Sequence, residues 1–243
     1  MRTTIPKNNV IFDYEKVINE FVSFLKEKQS DNLACVFLSG SFARGDANIG
    51  SDLDLFCLFN EFDGTVMTDV ARATHSVSIP YDKLEINAQC LSVDEFCSDG
   101  FGDWGKGEYE LRKIDSVLIY GEFPVINNAP SLCKICKKYA SEILMSIRHY
   151  LCVDEPVEKL TYAKIKTFIL KPLTFALRIE RYINTGIYPL TAVDLLSAYS
   201  DNRKILVEYY LNEQTFSIDV KNNHKSVLNF LHNTVLSIFK QWN

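Results

Sequence analysis

The sequence predicts an α/β N-terminal half followed by an all-helical C-terminal half. Three observations carry this. Strand-sized apolar runs (33–38, 52–59, 84–92, 117–121) all fall before about residue 125. Between the first two lies a Gly-Ser turn followed by alternating aspartates, LSGSFARGDANIGSDLDLFCLF at 38–59. From about Ala129 onward the apolar residues recur only at helical spacing. At 243 residues and 47% apolar content, the chain is long enough to bury a substantial core.

In order along the chain, residues 13–28 place Tyr14, Val17, Ile18, Phe21 and Leu25 on one helical face, with Asp13 as the N-cap. LACVFL and DLDLFCLF read as buried strands, with a short helix from Ser41 to Ala47 between them and a crossing helix over 65–76. In LEINAQCLS, Leu84, Ile86 and Ala88 alternate with Glu85, Asn87 and Gln89, the period of a strand with two distinct faces. The Gly-rich stretch 98–108 reads as a loop and VLIYG as a further strand. Helices are expected at 130–152, 157–185, 190–199, 201–213 and 222–240, with Pro172 kinking the second or opening a new one. The boundary falls near Pro124–Pro130, giving domains 1–125 and 126–243 and a cleft between them for a second substrate.

Asp52 and Asp54 stand at i and i+2 of a strand and so share a face, while Leu53, Leu55 and Cys57 point into the core. Two carboxylates that close repel unless a cation lies between them. A hard ion such as Mg²⁺ takes one or two carboxylates together with substrate phosphates. Gly40 admits close backbone approach, and Ser41 opens a helix whose first N–H groups suit an anion. Turn, Ala-Arg-Gly-Asp spacer and Ser-Asp-Leu-Asp-Leu together resemble the nucleotidyltransferase superfamily of the DNA polymerase β type. The segment LEINAQCLSVDEF resembles its counterpart in the streptomycin/spectinomycin-type aminoglycoside adenylyltransferases.

The resemblance implies an α+β catalytic domain with a mixed sheet, Mg²⁺ (two ions) as cofactor and ATP as donor substrate. It makes Glu85 the third carboxylate, as base or metal ligand beside Asp52 and Asp54, with Asp82 and Asp94 as rivals. Gly40, Ser41, Arg44, Ser51 and Lys171 become candidate nucleotide contacts, with Arg178 a further one seven residues after Lys171. Trp104, Glu108 and Asp115 are candidates for an acceptor pocket. The activity implied is transfer of a nucleoside monophosphate, AMP from ATP, to a hydroxyl of a small molecule such as an aminoglycoside-type antibiotic. Transfer to a protein or RNA acceptor, as in toxin- or antitoxin-type members, and a non-catalytic nucleotide-sensing module are the alternatives.

Composition narrows the partners. A net charge of −5 and a pI near 5.5 argue against a stable nucleic-acid complex and suit a small cationic acceptor. No membrane-length apolar run or signal-peptide pattern occurs, so a cytoplasmic protein is expected. The seven cysteines fit a reducing compartment. Cys133 and Cys136 have a metal-like spacing without a second pair, and they share a helical face. The four histidines form no constellation.

Overall fold

The computed structural model describes residues 1–81, 84–153 and 161–242. Asp82 and the first residues of the helix expected at 157–185 therefore lie outside the described residues. The chain forms two compact units, Met1–Pro130 and Ser131–Asn243.

The first unit is built on a four-stranded sheet in the order β3-β2-β1-β4. Its strands are β1 (Leu33–Leu38), β2 (Leu53–Phe59), β3 (Ile86–Ser92) and β4 (Val117–Gly121). β1 runs antiparallel to β2 and β4, whereas β2 and β3 are parallel. A parallel pair needs a crossover connection, and helix α3 (Gly64–Ser78) supplies it. The sheet is thus mixed, as the resemblance implies.

Strand alternation divides the core into two layers. Leu53, Leu55, Cys57 and Phe59 pack with α1 (Tyr14–Gln29) and α3 on one face. Phe37, Phe56, Leu58, Phe96 and Tyr109 pack together on the other. Asp13 caps α1 by accepting from the Lys16 N–H, and Tyr14, Val17, Ile18, Phe21 and Leu25 are all buried. The short helix after β1 spans Gly40–Arg44 (α2), tighter than the expected Ser41 to Ala47, because Gly45 ends it in the left-handed region at φ 85°.

The Gly-rich stretch departs from a plain loop. After α4 (Val93–Cys97) it forms two 3₁₀ turns, Gly102–Trp104 and Lys106–Glu108, which lead into α5 (Tyr109–Asp115). That helix has too few apolar residues to show a clear period in the sequence. Buried Tyr109 and Leu111 and the ion pairs of Glu108, Arg112 and Asp115 hold it.

Every regular element among the second unit's described residues is helical. The unit comprises α6 (Leu132–Cys152), α7 (Tyr162–Ile165), a π-helical turn (Lys166–Leu170), α8 (Lys171–Thr185), α9 (Ala192–Ser197), α10 (Asn202–Leu211) and α11 (Glu213–Gln241). Pro172 lies in the first turn of α8, where a missing N–H is tolerated, and the π turn precedes it. Asn223 leaves helical geometry inside α11 and its side chain accepts from the Ser226 N–H. The helix expected at 222–240 is the part beyond this break. Buried Glu180 accepts from Arg203 at 2.8 and 2.9 Å and from the Tyr199 hydroxyl at 3.0 Å, tying α8 to α10.

All seven cysteines are free thiols. Burial pushes the Cys35 and Cys136 thiols up to about 12. Cys57 is raised by its hydrogen bond with Cys90 and by burial. Cys133 and Cys136 share α6, and the Cys136 thiol donates to the Ala176 carbonyl at 3.4 Å. Among the described residues no three His, Cys, Asp or Glu side chains stand close enough to hold a metal by themselves. No helix among them is long and apolar enough to cross a membrane.

A thiol protonated at pH 8 is a poor nucleophile. Iodoacetamide at that pH is expected to alkylate exposed Cys152 and to spare Cys35, Cys57 and Cys136 until denaturant is added, as peptide mass spectrometry would read. Asp115→Ala is expected to cost about 3–5 kcal/mol in urea unfolding, because the Arg44 guanidinium, 3.0 Å from that carboxylate, stays buried without it.

Candidate active site

The first unit gathers its acidic residues on one face of β2 and β3. Pairing puts Leu53 opposite Ile86 and Asp54 opposite Asn87, and the Leu53 N–H donates to the Glu85 carbonyl at 2.9 Å. Asp52 and Glu85 are thus neighbours across the parallel pair, one step before Asp54 and Asn87. Alternation sends all four side chains away from the α1/α3 core. Asp52 and Glu85 are exposed and Asp54 is half-buried. The Asn87 amide donates to Asp54 Oδ1 at 3.0 Å.

The turn after β1 meets this face. The Ser39 N–H donates to the Asp54 carbonyl at 2.9 Å, so the β1–β2 pairing runs up to the turn. Gly40 follows at φ 68°, and a Cβ there would overlap the Asp54 carboxylate. Glycine is required twice over, by backbone conformation and by the carboxylate lying where a side chain would go. The turn and the strand aspartate, distant in sequence, are one site. An open groove of about 670 Å³ runs along β3, with Glu85, Asn87, Thr74 and Met67 among its lining residues.

Several expected contacts have other partners. Arg44 is buried and paired with Asp115 at 3.0 Å, with Asp46 Oδ2 3.7 Å from its Nε. The expected phosphate contact gives way to a structural ion pair, because α5 brings a carboxylate onto the end of α2. Glu108 and Asp115, candidates for an acceptor pocket, are likewise buried in ion pairs, with Arg112 and Arg44. Trp104 is half-exposed and its ring centroid lies 6.3 Å from that of Phe56. The Ser51 hydroxyl accepts from the Asn48 N–H at 3.0 Å and closes the loop before Asp52. Asp94 sits in the first turn of α4, behind a Ser92–Glu95 capping box.

In the second unit, Lys171 is exposed at the junction of the π turn and α8. Arg178 is buried, donating to the Pro189 carbonyl and to the Thr174 hydroxyl, both at 3.0 Å. It anchors its own helical unit and is not on the surface that the expected nucleotide contact requires.

Sequence reasoning missed Ser39, Asn87 and Arg112. The alternation that put Glu85 on one face of its strand also put Asn87 there. Nothing local pointed to Arg112.

A Gly-Ser turn pressed against alternating carboxylates on a mixed sheet agrees with the family match: this chain carries a nucleotidyltransferase domain and is an enzyme of nucleotidyl transfer. Residues 18–96 match the family model described as nucleotidyltransferase domain, a span holding the turn, Asp52, Asp54 and Glu85. Comparison with curated proteins returns no match. Among solved structures the chain is similar to spectinomycin adenyltransferase AAD(9) from Enterococcus faecialis, determined with ATP and spectinomycin. The TM-score is 0.51 and the identity 16%, over 92% of this chain and 99% of that one. At that identity the likeness is one of fold, and it covers nearly the whole chain.

Gly40→Ala tests the contact between turn and strand. The left-handed backbone alone costs about 1–2 kcal/mol for a residue with a Cβ, and the Asp54 carboxylate must also move. The variant is expected to melt several degrees lower and to lose any rise in melting temperature on adding ATP with Mg²⁺.

Proposed function

We propose that this protein is a Mg²⁺-dependent adenylyltransferase that moves AMP from ATP onto a hydroxyl of a small cationic molecule of the aminoglycoside or aminocyclitol kind. One observation carries the reading: Asp52, Asp54 and Glu85 share one face of β2 and β3, with the Gly40 backbone against the Asp54 carboxylate. The solved relative of like fold, an adenyltransferase determined with ATP and spectinomycin, supports the choice of donor and acceptor. The net charge of −5 favours a cationic acceptor over a polyanion.

The residues present fit Mg²⁺. All are hard oxygen donors, the kind of which Mg²⁺ takes one or two together with substrate phosphates. Two such ions, when bound, offset negative charge on the triphosphate and the departing pyrophosphate. Asp52 and Asp54 would hold them, and Asn87 keeps the Asp54 carboxylate in one orientation. Gly40 and Ser41 hold phosphate oxygens through backbone N–H groups and the Ser41 hydroxyl, and Ser51 adds a second hydroxyl. Glu85 takes the proton of the acceptor hydroxyl as its oxygen bonds to the α-phosphorus and the bond to the bridging oxygen of pyrophosphate breaks. The groove beside Glu85 and exposed Trp104 are candidate surfaces for the acceptor.

Purified protein with α-labelled ATP and Mg²⁺, offered aminoglycosides, aminocyclitols, tRNA and lysate protein, tests the reading. Label is expected in the small-molecule fraction, with pyrophosphate released. Label in RNA or protein would overturn the acceptor assignment, and no label in any pool would overturn the assigned donor or reaction. Asp52→Asn and Asp54→Asn are each expected to abolish transfer while thermal stability without metal holds or rises. Glu85→Gln is expected to lower turnover by roughly 10²–10⁴, the usual worth of a positioned base, with ATP binding nearly intact. Weakened ATP affinity that extra Mg²⁺ restores would reassign Glu85 as chiefly a metal ligand.

A further inference from the structure

Arg112, on α5, stands behind the Gly-Ser turn. Its Nη1 donates to Ser39 Oγ at 2.9 Å, its Nη2 lies 3.1 Å from the Glu108 carboxylate, and its guanidinium carbon sits 4.4 Å from the centre of the Phe56 ring. Phe56 follows Asp54 by two residues on the same face of β2, roughly 7 Å along the strand. The guanidinium is therefore on the carboxylate-bearing face of the sheet. Phe56 is itself held by Phe37, with ring centroids 4.8 Å apart and planes within 9°.

Ser39 links that cation to the site. It is buried, it precedes Gly40, and its N–H donates to the Asp54 carbonyl. A serine at an N-cap ordinarily turns its hydroxyl onto an N–H of the first helical turn. Ser39 makes no such bond, and its hydroxyl accepts from Arg112. The same α5 holds the far end of α2, through Asp115 and Arg44. One helix thus grips the turn before Gly40 and the last residue of the helix after it.

We infer that Arg112 is a positioning residue of the nucleotide site, setting the Gly40–Ser41 turn against Asp54 by holding the Ser39 hydroxyl. The inference rests on the nucleotide reading above. Glu108 offsets much of the guanidinium charge, so the role is geometric. Arg112 bonds Ser39 and Glu108 through two separate nitrogens while its flat face lies on Phe56. A lysine has one nitrogen and no flat face. It keeps the charge and an ion pair with Glu108, so the fold survives, but it cannot make the whole set of contacts.

A double-mutant cycle with Ser39→Ala and Arg112→Lys tests this, reading the dissociation constant for ATP with Mg²⁺, KM and kcat, and melting temperature without ligand. Each single variant is expected to weaken ATP binding about tenfold while melting within a few degrees of wild type. The double variant is expected to be no weaker than the weaker single, because both changes break one contact. Arg112→Lys binding ATP within twofold of wild type would show that charge alone suffices and overturn the geometric role. Ser39→Ala within twofold, or additive losses in the double variant, would overturn the link through Ser39. A wild-type protein that binds no ATP with Mg²⁺ would instead overturn the nucleotide reading itself, and this inference with it.

Discussion

The parallel pairing of β2 with β3 is the constraint on which the site depends. Side chains alternate with a period of two, so a slip of one residue would carry Glu85 and Asn87 to the opposite face and put Ile86 opposite the aspartates. The register is held from both sides. Leu53, Leu55, Cys57 and Phe59 are buried against α1 and α3, and Ile86 is buried in the same cluster. The hydrophobic face thus fixes where the polar face must be. The carboxylates are aligned by the burial of their neighbours, which explains how repelling groups are kept together.

A second layer of control comes from buried charge. Arg44 with Asp115 is a fully buried pair and Arg112 with Glu108 a largely buried one, and both involve α5. Replacing such a pair by apolar groups is often neutral for stability, so their value here lies in direction. A guanidinium fork accepts few geometries, and these two tie both ends of α2 to α5.

Most of the fold was legible because it is written in periods. The strands at 33–38 and 52–59, α1, and the helical second half announce themselves by alternation or by helical spacing. Gly40, Ser41, Asp52 and Asp54 were legible as a motif because strand, turn and strand occur in unbroken succession. Arg44 was misread because a cation in a motif looks the same whether its partner is a phosphate or a carboxylate 71 residues away. Arg178 was misread for a similar reason, since its partners include a carbonyl reached only after the chain turns back at Gly186. Helix α5 was hidden by the glycines before it and by stabilisation through two long-range contacts, the Arg44–Asp115 ion pair and the Arg112–Ser39 hydrogen bond. Local composition carries no trace of contacts of that kind.

The segment recognisable as a nucleotidyltransferase domain ends at residue 96, before α5 and β4. β4 covers the side of β1 away from β2, and α5 supplies both grips on α2. A fragment cut at that boundary would keep every proposed metal ligand and the glycine turn. It would also bare a full row of β1 amides and carbonyls, a template for joining other chains edge to edge. The stretch that bears the proposed metal ligands and the stretch that pairs the open side of β1 and braces α2 are different parts of the polypeptide, and only the first is conspicuous when the sequence is read.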